Sequence, residues 1–138
     1  MTTKNPEVVL VTGAGSGIGR AIALALARAG HKVVASMREP EGRNAGRSLA
    51  LRQLAETEGL RLQVLELDVL SETACRAAVD AIEAEHGRLD VVVNNAGMLM
   101  TGVTEAFSVE QVARIIDTNA LSWLRVNRAV LPLSLIHI

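Results

Sequence analysis

The feature that most constrains the fold is an apolar run that leads directly into a glycine-rich turn. Val8 to Val11 are followed by Thr12-Gly-Ala-Gly-Ser-Gly-Ile-Gly19, and apolar residues then recur at helical spacing from Ile18 to Ala29. An unbroken, mostly β-branched run is typical of a strand that is buried on both faces of a parallel sheet. The pattern therefore predicts a strand, a tight turn and a helix, in that order.

This turn is suited to hold a phosphate or a pyrophosphate. Its glycines leave few side chains in the way of a ligand, and the N-terminus of the following helix offers free N–H groups and a positive dipole end. The spacing differs from G-x-G-x-x-G, because Ile18 stands at the third glycine, and from the phosphate loop, because Arg20 follows Gly19. It fits T-G-x-x-x-G-x-G, with Thr12, Gly13, Gly17 and Gly19. The alternative is a flexible turn between a strand and a helix.

Composition excludes several classes of protein. The 138 residues predict one domain, and the net charge of -1 without a basic run does not indicate a nucleic-acid partner. No apolar run is long enough to span a membrane, and the polar stretch Met1 to Glu7 does not resemble a secretion signal. We therefore expect a cytoplasmic protein, in which the single Cys75 is a buried core residue rather than a reactive thiol. No metal site is expected.

Strands and helices alternate along the rest of the chain. Further strands are predicted at Lys32 to Met37, Leu60 to Leu67 and Leu89 to Val93, and serines at positions 71 and 108 are suited to cap two of the helices. Such alternation predicts an α/β fold with a parallel sheet. The last helix is predicted to place six apolar residues on one side, namely Val109, Val112, Ile116, Ala120, Trp123 and Val130.

Polar or glycine-rich segments follow three of the four predicted strands. The glycine loop follows the first strand, Asp68 the third, and Asn94 to Gly97 the fourth. Ligands of open α/β sheets bind beyond the carboxyl ends of the strands. The three segments are therefore expected to form one binding crevice.

Taken together, these residues resemble the short-chain dehydrogenase/reductase family. The glycine motif, Asp68-Val69, Asn94-Asn95-Ala96-Gly97 and Asn119 occur in the family's order and at its separations. The resemblance covers nearly all of residues 7–132. It implies an NAD(P)-dependent oxidoreductase with a Rossmann-type doubly wound parallel sheet. This chain would be its truncated N-terminal half, with four strands and four helices.

The resemblance also implies which residues bind the cofactor. The first loop would hold the pyrophosphate and the ribose through Thr12, Gly13, Gly15, Ser16, Gly17, Ile18 and Gly19. Asp68, with Val69, would accept a hydrogen bond from the adenine amino group, and Asn94, Ala96 and Gly97 would line the nicotinamide side. The alternative for Asp68 is a solvated carboxylate at the end of a strand. The alternative for Asn94, Ala96 and Gly97 is an ordinary Asn/Gly turn.

Asn119 is the one candidate catalytic residue that the resemblance places in this chain. In the family, this asparagine helps to hold a water molecule in a proton relay to the active site. The alternative is that its amide ties the helix to a neighbouring loop, because buried polar groups usually find partners.

The end of the second strand favours NADP over NAD. An acidic residue there would accept the ribose hydroxyls and repel a 2′-phosphate, but this position holds Met37, and Arg38 follows. A guanidinium pairs with a phosphate through two hydrogen bonds, and Ser36 is expected to donate another. Glu39 is the contrary sign, because it could neutralise Arg38 or accept the ribose itself.

The sequence departs from the family in its second half. The family's catalytic Ser, Tyr and Lys are expected beyond the fourth helix, and this chain contains no tyrosine. We expect an incomplete dinucleotide-binding domain over residues 1–132. Residues 133–138 can be encoded by DNA that resembles a sequencing-library adapter, so a non-native read-through tail is expected there. The chain as given would be inactive, and its full-length parent would be a homo-oligomer. The alternative function is a non-catalytic NADP(H)-binding half-domain.

Overall fold

A computed structural model describes residues 5–136 of the chain. It contains four strands, β1 (Val8–Val11), β2 (Lys32–Met37), β3 (Leu62–Glu66) and β4 (Val91–Val93). The main helices are α1 (Gly17–Arg28), α2 (Ala45–Glu58), α3 (Glu72–His86), α4 (Val109–Ile116) and α5 (Ser122–Ile136). A short 3-10 turn (Thr104–Ala106) precedes α4, and a π turn (Asp117–Leu121) separates α4 from α5.

The four strands form one parallel sheet in the order β3-β2-β1-β4. Val8 is paired with Lys32 and Val9 with Val91, so β1 lies between β2 and β4. The predicted α/β fold with a Rossmann-type doubly wound sheet is confirmed. All four carboxyl ends lie at one edge, which brings the loops that follow them together.

The core lies on both faces of this sheet. Val9 and Val11 face α1 and α2, where Leu24 and Leu51 are buried against them. Val8 and Leu10 face the other way and belong to a cluster that α3 and α5 contribute. Because successive strand residues point to opposite faces, β1 has no solvent-facing side and is apolar throughout.

Local signals explain where most helices begin and end. The hydroxyl of Ser71 accepts a hydrogen bond from the N–H of Ala74 at the start of α3, as predicted. Ser108 and Gln111 form the predicted capping box at the start of α4. Helices α2 and α3 end at Gly59 and Gly87, both in the left-handed conformation that glycine tolerates.

The predicted last helix is wrong in one respect, because it is not a single helix with one apolar side. The π turn inserts an extra residue into the helical repeat and separates the face of α4 from that of α5. Helix α5 buries Ser122, Val126, Val130 and Leu133. On the predicted side, five of the six residues are exposed, namely Val109, Val112, Ile116, Ala120 and Trp123.

That residues 133–138 form a non-native tail stays a prediction. Helix α5 continues to Ile136, and Leu133 is a buried member of the core. Residues 137–138 lie outside the described part of the chain. Within residues 5–136, no helix combines the length and the apolar character that a membrane crossing requires.

Candidate functional site

The three loops predicted to meet do so at the carboxyl edge of the sheet. They surround a cavity of about 370 Å³. The glycine loop forms one wall, the segment after β3 a second, and the segment after β4 a third. The predicted residues that line the cavity are Gly13, Gly15, Ser16, Ile18, Gly19, Arg38, Asp68, Val69, Ala96 and Gly97.

Two of the glycines are required by close backbone contacts. Gly13 has a φ of 64°, and a Cβ atom added to it would lie 2.8 Å from the Cα of Ala96. A Cβ atom at Gly19 would overlap the side-chain amide of Asn95 and the carbonyl oxygen of Gly13. The first and last glycines of the motif therefore let the loop after β1 pack directly against the loop after β4.

Hydrogen bonds fix that contact. The hydroxyl oxygen of Thr12 accepts from the N–H of Asn95 at 3.1 Å and from the N–H of Ala96 at 3.0 Å. In return, the side-chain amide of Asn95 donates to the carbonyl oxygens of Thr12 and Gly13, at 3.0 and 3.1 Å. The two loops thus form one rigid wall of the cavity.

Four predicted cofactor contacts do not line the cavity. Thr12 is buried, and its hydroxyl supports the neighbouring loop by accepting two of its N–H groups, so a contact of Thr12 with the cofactor stays a prediction. Ser36 is fully buried, and its hydroxyl donates to the carbonyl oxygen of Val11 at 3.2 Å, so it does not face the cavity. Asn94 donates to the side chain of Asn127, and Gly17 is exposed at the first position of α1.

The N-terminus of α1 is suited to an anion. The hydroxyl of Ser16 makes no capping hydrogen bond, and the first turn carries no acidic residue. By contrast, serine side chains cap both α3 and α4. The first N–H groups of α1 therefore lack the side-chain cap that satisfies those helices, and Ser16, Ile18 and Gly19 line the cavity. These groups fit a phosphate-bearing ligand.

Two arginines lie at the end of the cavity beside β2. Arg38 and Arg47 both line it, next to Met37. The side chain of Asn44 connects them, because its N–H donates to the carbonyl oxygen of Arg38 at 2.6 Å and its oxygen accepts from Arg47 at 3.3 Å. A single amide thus joins the backbone of Arg38 to the guanidinium of Arg47 at one corner of the cavity.

Glu39 does not neutralise Arg38. Its carboxylate pairs with Arg43 at 3.1 Å. Among residues 5–136, no carboxylate forms an ion pair with Arg38. Neutralisation of Arg38 by Glu39 is therefore not observed, whereas acceptance of the ribose by Glu39 stays a prediction. Arg38 and Arg47 bring positive charge to this corner of the cavity.

Asp68 forms a local turn and also lines the cavity, whereas its hydrogen bond to the adenine stays a prediction. One carboxylate oxygen accepts the N–H of Leu70 at 3.0 Å, which is the local turn that an aspartate at the end of a strand often forms. The residue also lines the cavity. Its second oxygen has no hydrogen-bond partner among the described residues, so it can accept one from a ligand.

Asn119 lies in the π turn, and its amide forms a two-sided tie. Its oxygen accepts from the N–H of Met98 and its nitrogen donates to the carbonyl oxygen of Met98, both at 2.7 Å. This is the tie between helix and loop that was the alternative from the sequence. A part for Asn119 in a proton relay stays a prediction.

Six lining residues were missed in the sequence, namely Met37, Asn44, Arg47, Leu67, Asn95 and Thr118. Asn95 and Thr118 stand next to predicted residues, and this position is the sequence signal that could have identified them. Arg47 lies on the first turns of α2, and its approach to the cavity depends on how the loop after β2 folds back, which no local pattern records.

Comparisons with known proteins identify the family. The sequence profile described as short chain dehydrogenase matches residues 7–136. An uncharacterized oxidoreductase of Myxococcus xanthus is 40% identical over 132 residues, which is 96% of this chain and 50% of that protein. The NADP-dependent 3-hydroxy acid dehydrogenase YdfG of Shigella flexneri is 36% identical over 127 residues, covering 91% of this chain and 48% of its own length.

A solved structure shows the same architecture. NADPH-bound carbonyl reductase from chicken fatty liver superimposes with a TM-score of 0.83 at 26% identity, covering 94% of this chain and 52% of that one. The chain thus spans about half the length of the curated relatives and of this structure.

Proposed function

Because the chain belongs to the short-chain dehydrogenase family, we propose that it binds NADP(H) in preference to NAD(H). We propose further that it forms the cofactor-binding half of an oxidoreductase. That oxidoreductase transfers a hydride between NADP(H) and an alcohol or carbonyl compound. The family supports an oxidoreductase with a nicotinamide dinucleotide cofactor, whereas the choice of NADP rests on this chain's own residues.

The observation that carries the choice of cofactor is the pair of arginines beside Met37. Arg38 and Arg47 line the same corner of the cavity, and Asn44 connects them. A 2′-phosphate at this corner would meet two guanidinium groups, which bind phosphate through charge-assisted hydrogen bonds. Met37 offers no carboxylate to the ribose hydroxyls of NAD. The two relatives named above as NADP- or NADPH-binding support the same choice.

The other groups would divide the rest of the cofactor among them. The uncapped N-terminus of α1 would hold the pyrophosphate, and Asp68 would accept a hydrogen bond from the adenine amino group. Ala96 and Gly97 would border the nicotinamide, with Thr118 nearby. When bound, the nicotinamide supplies or accepts the hydride. This chain's residues bind and orient it, and Asn119 is proposed to support the proton relay.

We infer that the 138 residues alone bind the cofactor without turning it over. The family's catalytic chemistry uses a tyrosine and a lysine, and this sequence contains no tyrosine. The complete protein is proposed to be a cytoplasmic homo-oligomer. The second candidate is a half-domain that binds NADP(H) without catalysis.

A pair of measurements tests the proposal. NADPH fluorescence is titrated with the purified 138-residue chain, and NADPH oxidation is then followed with a panel of aldehydes and ketones. We expect saturable binding and no turnover. The same assays are applied to the protein encoded by the complete locus, where turnover would support the oxidoreductase and its absence the half-domain. No NADPH binding by either protein would contradict both candidates.

A further inference from the structure

Two side chains of α5 hold the π turn in place. Within that turn the N–H of Ser122 bonds to the carbonyl oxygen of Asp117, and this leaves the carbonyl of Thr118 without its usual helical donor. The hydroxyl of Ser122 donates to that carbonyl at 2.6 Å, and Ser122 is only 2% exposed. The serine thus satisfies the polar group that the π turn releases.

Arg125 connects the π turn to a different loop. Its guanidinium forms an ion pair with Asp117, the first residue of the turn, through one nitrogen. Through the other terminal nitrogen it donates to the carbonyl oxygen of Val69 at 3.4 Å. Val69 follows Asp68 in the wall of the cavity. One side chain therefore links the π turn to the loop after β3.

The π turn also holds the loop after β4 in place. Thr118 lines the cavity, and the amide of Asn119 binds both backbone groups of Met98. Its oxygen also lies 3.1 Å from where a Cβ atom of Gly97 would stand. The position of the turn thereby determines where the wall formed by Ala96 and Gly97 can lie.

We propose that Arg125 and Ser122 are positioning residues that set the separation of two cavity walls. These walls are the segment Asp68–Val69 and the segment Asn95–Gly97. Neither side chain lines the cavity, and each acts through the π turn. The inference rests on the proposed function, since the walls matter for activity only if they hold a dinucleotide.

Arg128 supplies a matched control on the same helix. Its guanidinium lies 3.7 Å from the carboxylate of Glu72, and its side chain is 62% exposed. It has the same charge and length as Arg125 but does not contact the π turn. Replacing it removes a surface ion pair, which contributes little.

The first test does not depend on a cofactor. Backbone hydrogen exchange is compared between the wild-type chain and Arg125→Gln, with Arg128→Gln as control. We expect exchange of the Met98 and Ser122 N–H groups to become about tenfold faster in Arg125→Gln, because local opening needs fewer contacts to break. Arg125→Lys, which keeps the ion pair, is expected to restore most of the protection. Ser122→Ala is a milder variant and should raise exchange in the same direction. Equal exchange in all of these chains would overturn the proposal.

The second test measures binding of NADPH and NADH by fluorescence. Arg125→Gln is expected to raise both dissociation constants by the same factor, about tenfold, because it displaces walls that both cofactors share. Arg38→Ala is expected instead to change the ratio of the two constants. If the wild-type chain binds neither cofactor, the proposed function fails while hydrogen exchange still decides on the positioning role. If Arg125→Gln binds both as tightly as the wild type, the positioning role is wrong.

Discussion

Three almost completely buried serines differ in whether the side-chain hydroxyl has a hydrogen-bond partner. Ser36 donates to Val11 and Ser122 donates to Thr118, whereas the hydroxyl of Ser48 has no hydrogen-bond partner among the described residues. A satisfied buried hydrogen bond contributes about 0.5–1.5 kcal/mol to stability, and an unsatisfied group costs about 1–3 kcal/mol. The same substitution should therefore have opposite effects at different serines.

Replacing Ser122 and Ser48 by alanine tests this difference. Ser122→Ala is expected to lower the free energy of unfolding by about 1 kcal/mol, because the carbonyl of Thr118 loses its donor. Ser48→Ala is expected to leave stability unchanged or to raise it, because an unpaired buried hydroxyl is removed and alanine favours helix. Urea denaturation of both variants gives the comparison. A larger loss at Ser48 than at Ser122 would contradict the hydrogen bonding described here.

Cys75 provides a prediction about pH. Burial raises the pKa of its thiol, and the nearby carboxylates of Asp68 and Glu72 act in the same direction. Arg125 opposes them. A raised pKa means that the folded protein holds this proton more tightly than the unfolded chain does. The contribution to stability is therefore complete below the ordinary thiol pKa of about 8.5 and is lost as the pH rises above it.

The measurement is alkylation of Cys75 by iodoacetamide, followed by mass spectrometry. At pH 8 we expect the folded chain to react at least about tenfold more slowly than the chain in urea, since the thiolate is the reactive form. The Cys75→Ala variant should lose less stability than the wild type between pH 8 and pH 10. Equal alkylation rates in the folded and unfolded chains would show that the thiol is accessible.

At the scale of elements, α1 and α4 differ in whether a side chain accepts a hydrogen bond from the N–H groups of the first turn. Helix α4 begins with a complete capping box formed by Ser108 and Gln111. Helix α1 begins at a serine that makes no capping bond and opens onto the cavity. A capping side chain on α1 would occupy the N–H groups proposed to bind the pyrophosphate. We infer that α1 lacks a capping side chain because the N–H groups of its first turn bind a ligand.

The corresponding substitutions separate the two kinds of helix start. Ser108→Ala is expected to lower the free energy of unfolding by about 1 kcal/mol, the usual effect of losing a capping side chain. Ser16→Ala is expected to leave stability within about 0.5 kcal/mol of the wild type, because no capping bond is lost. Thermal unfolding monitored by circular dichroism compares them. A Ser16→Ala loss as large as that of Ser108→Ala would show that α1 is capped in solution.

At the scale of the whole molecule, local sequence signals predict some features of the fold and of the site but not others. Strand β2 was predicted with its observed bounds, because an apolar run between Gly30 and Pro40 is a local signal. Neighbouring strand residues point to opposite faces, but the sequence alone does not record which of the two faces borders the cavity. Met37 consequently lines the cavity, while Ser36 turns into the core.

Contacts between distant segments account for the other misses. Thr12 could not be recognised as loop support without knowing that the loop after β4 lies against it, 83 residues away. The π turn was missed because Val109, Ile116 and Trp123 continue an α-helical repeat in sequence. Arg47 was missed because Asn44 brings it to Arg38 through a fold of the loop.

The measurement that tests the central claim most directly is the ratio of the dissociation constants for NADH and NADPH. Two guanidinium groups at one corner of the cavity predict that the wild-type chain binds NADPH at least about tenfold more tightly, a difference of about 1.4 kcal/mol. The double variant Arg38→Ala/Arg47→Ala is expected to bring the ratio close to one.

Arg28→Ala is the matched control, because Arg28 pairs with Glu58 and does not line the cavity. This variant is expected to keep the preference for NADPH. NADH binding that equals or exceeds NADPH binding in the wild-type chain would contradict the account, as would a ratio that the double variant leaves unchanged.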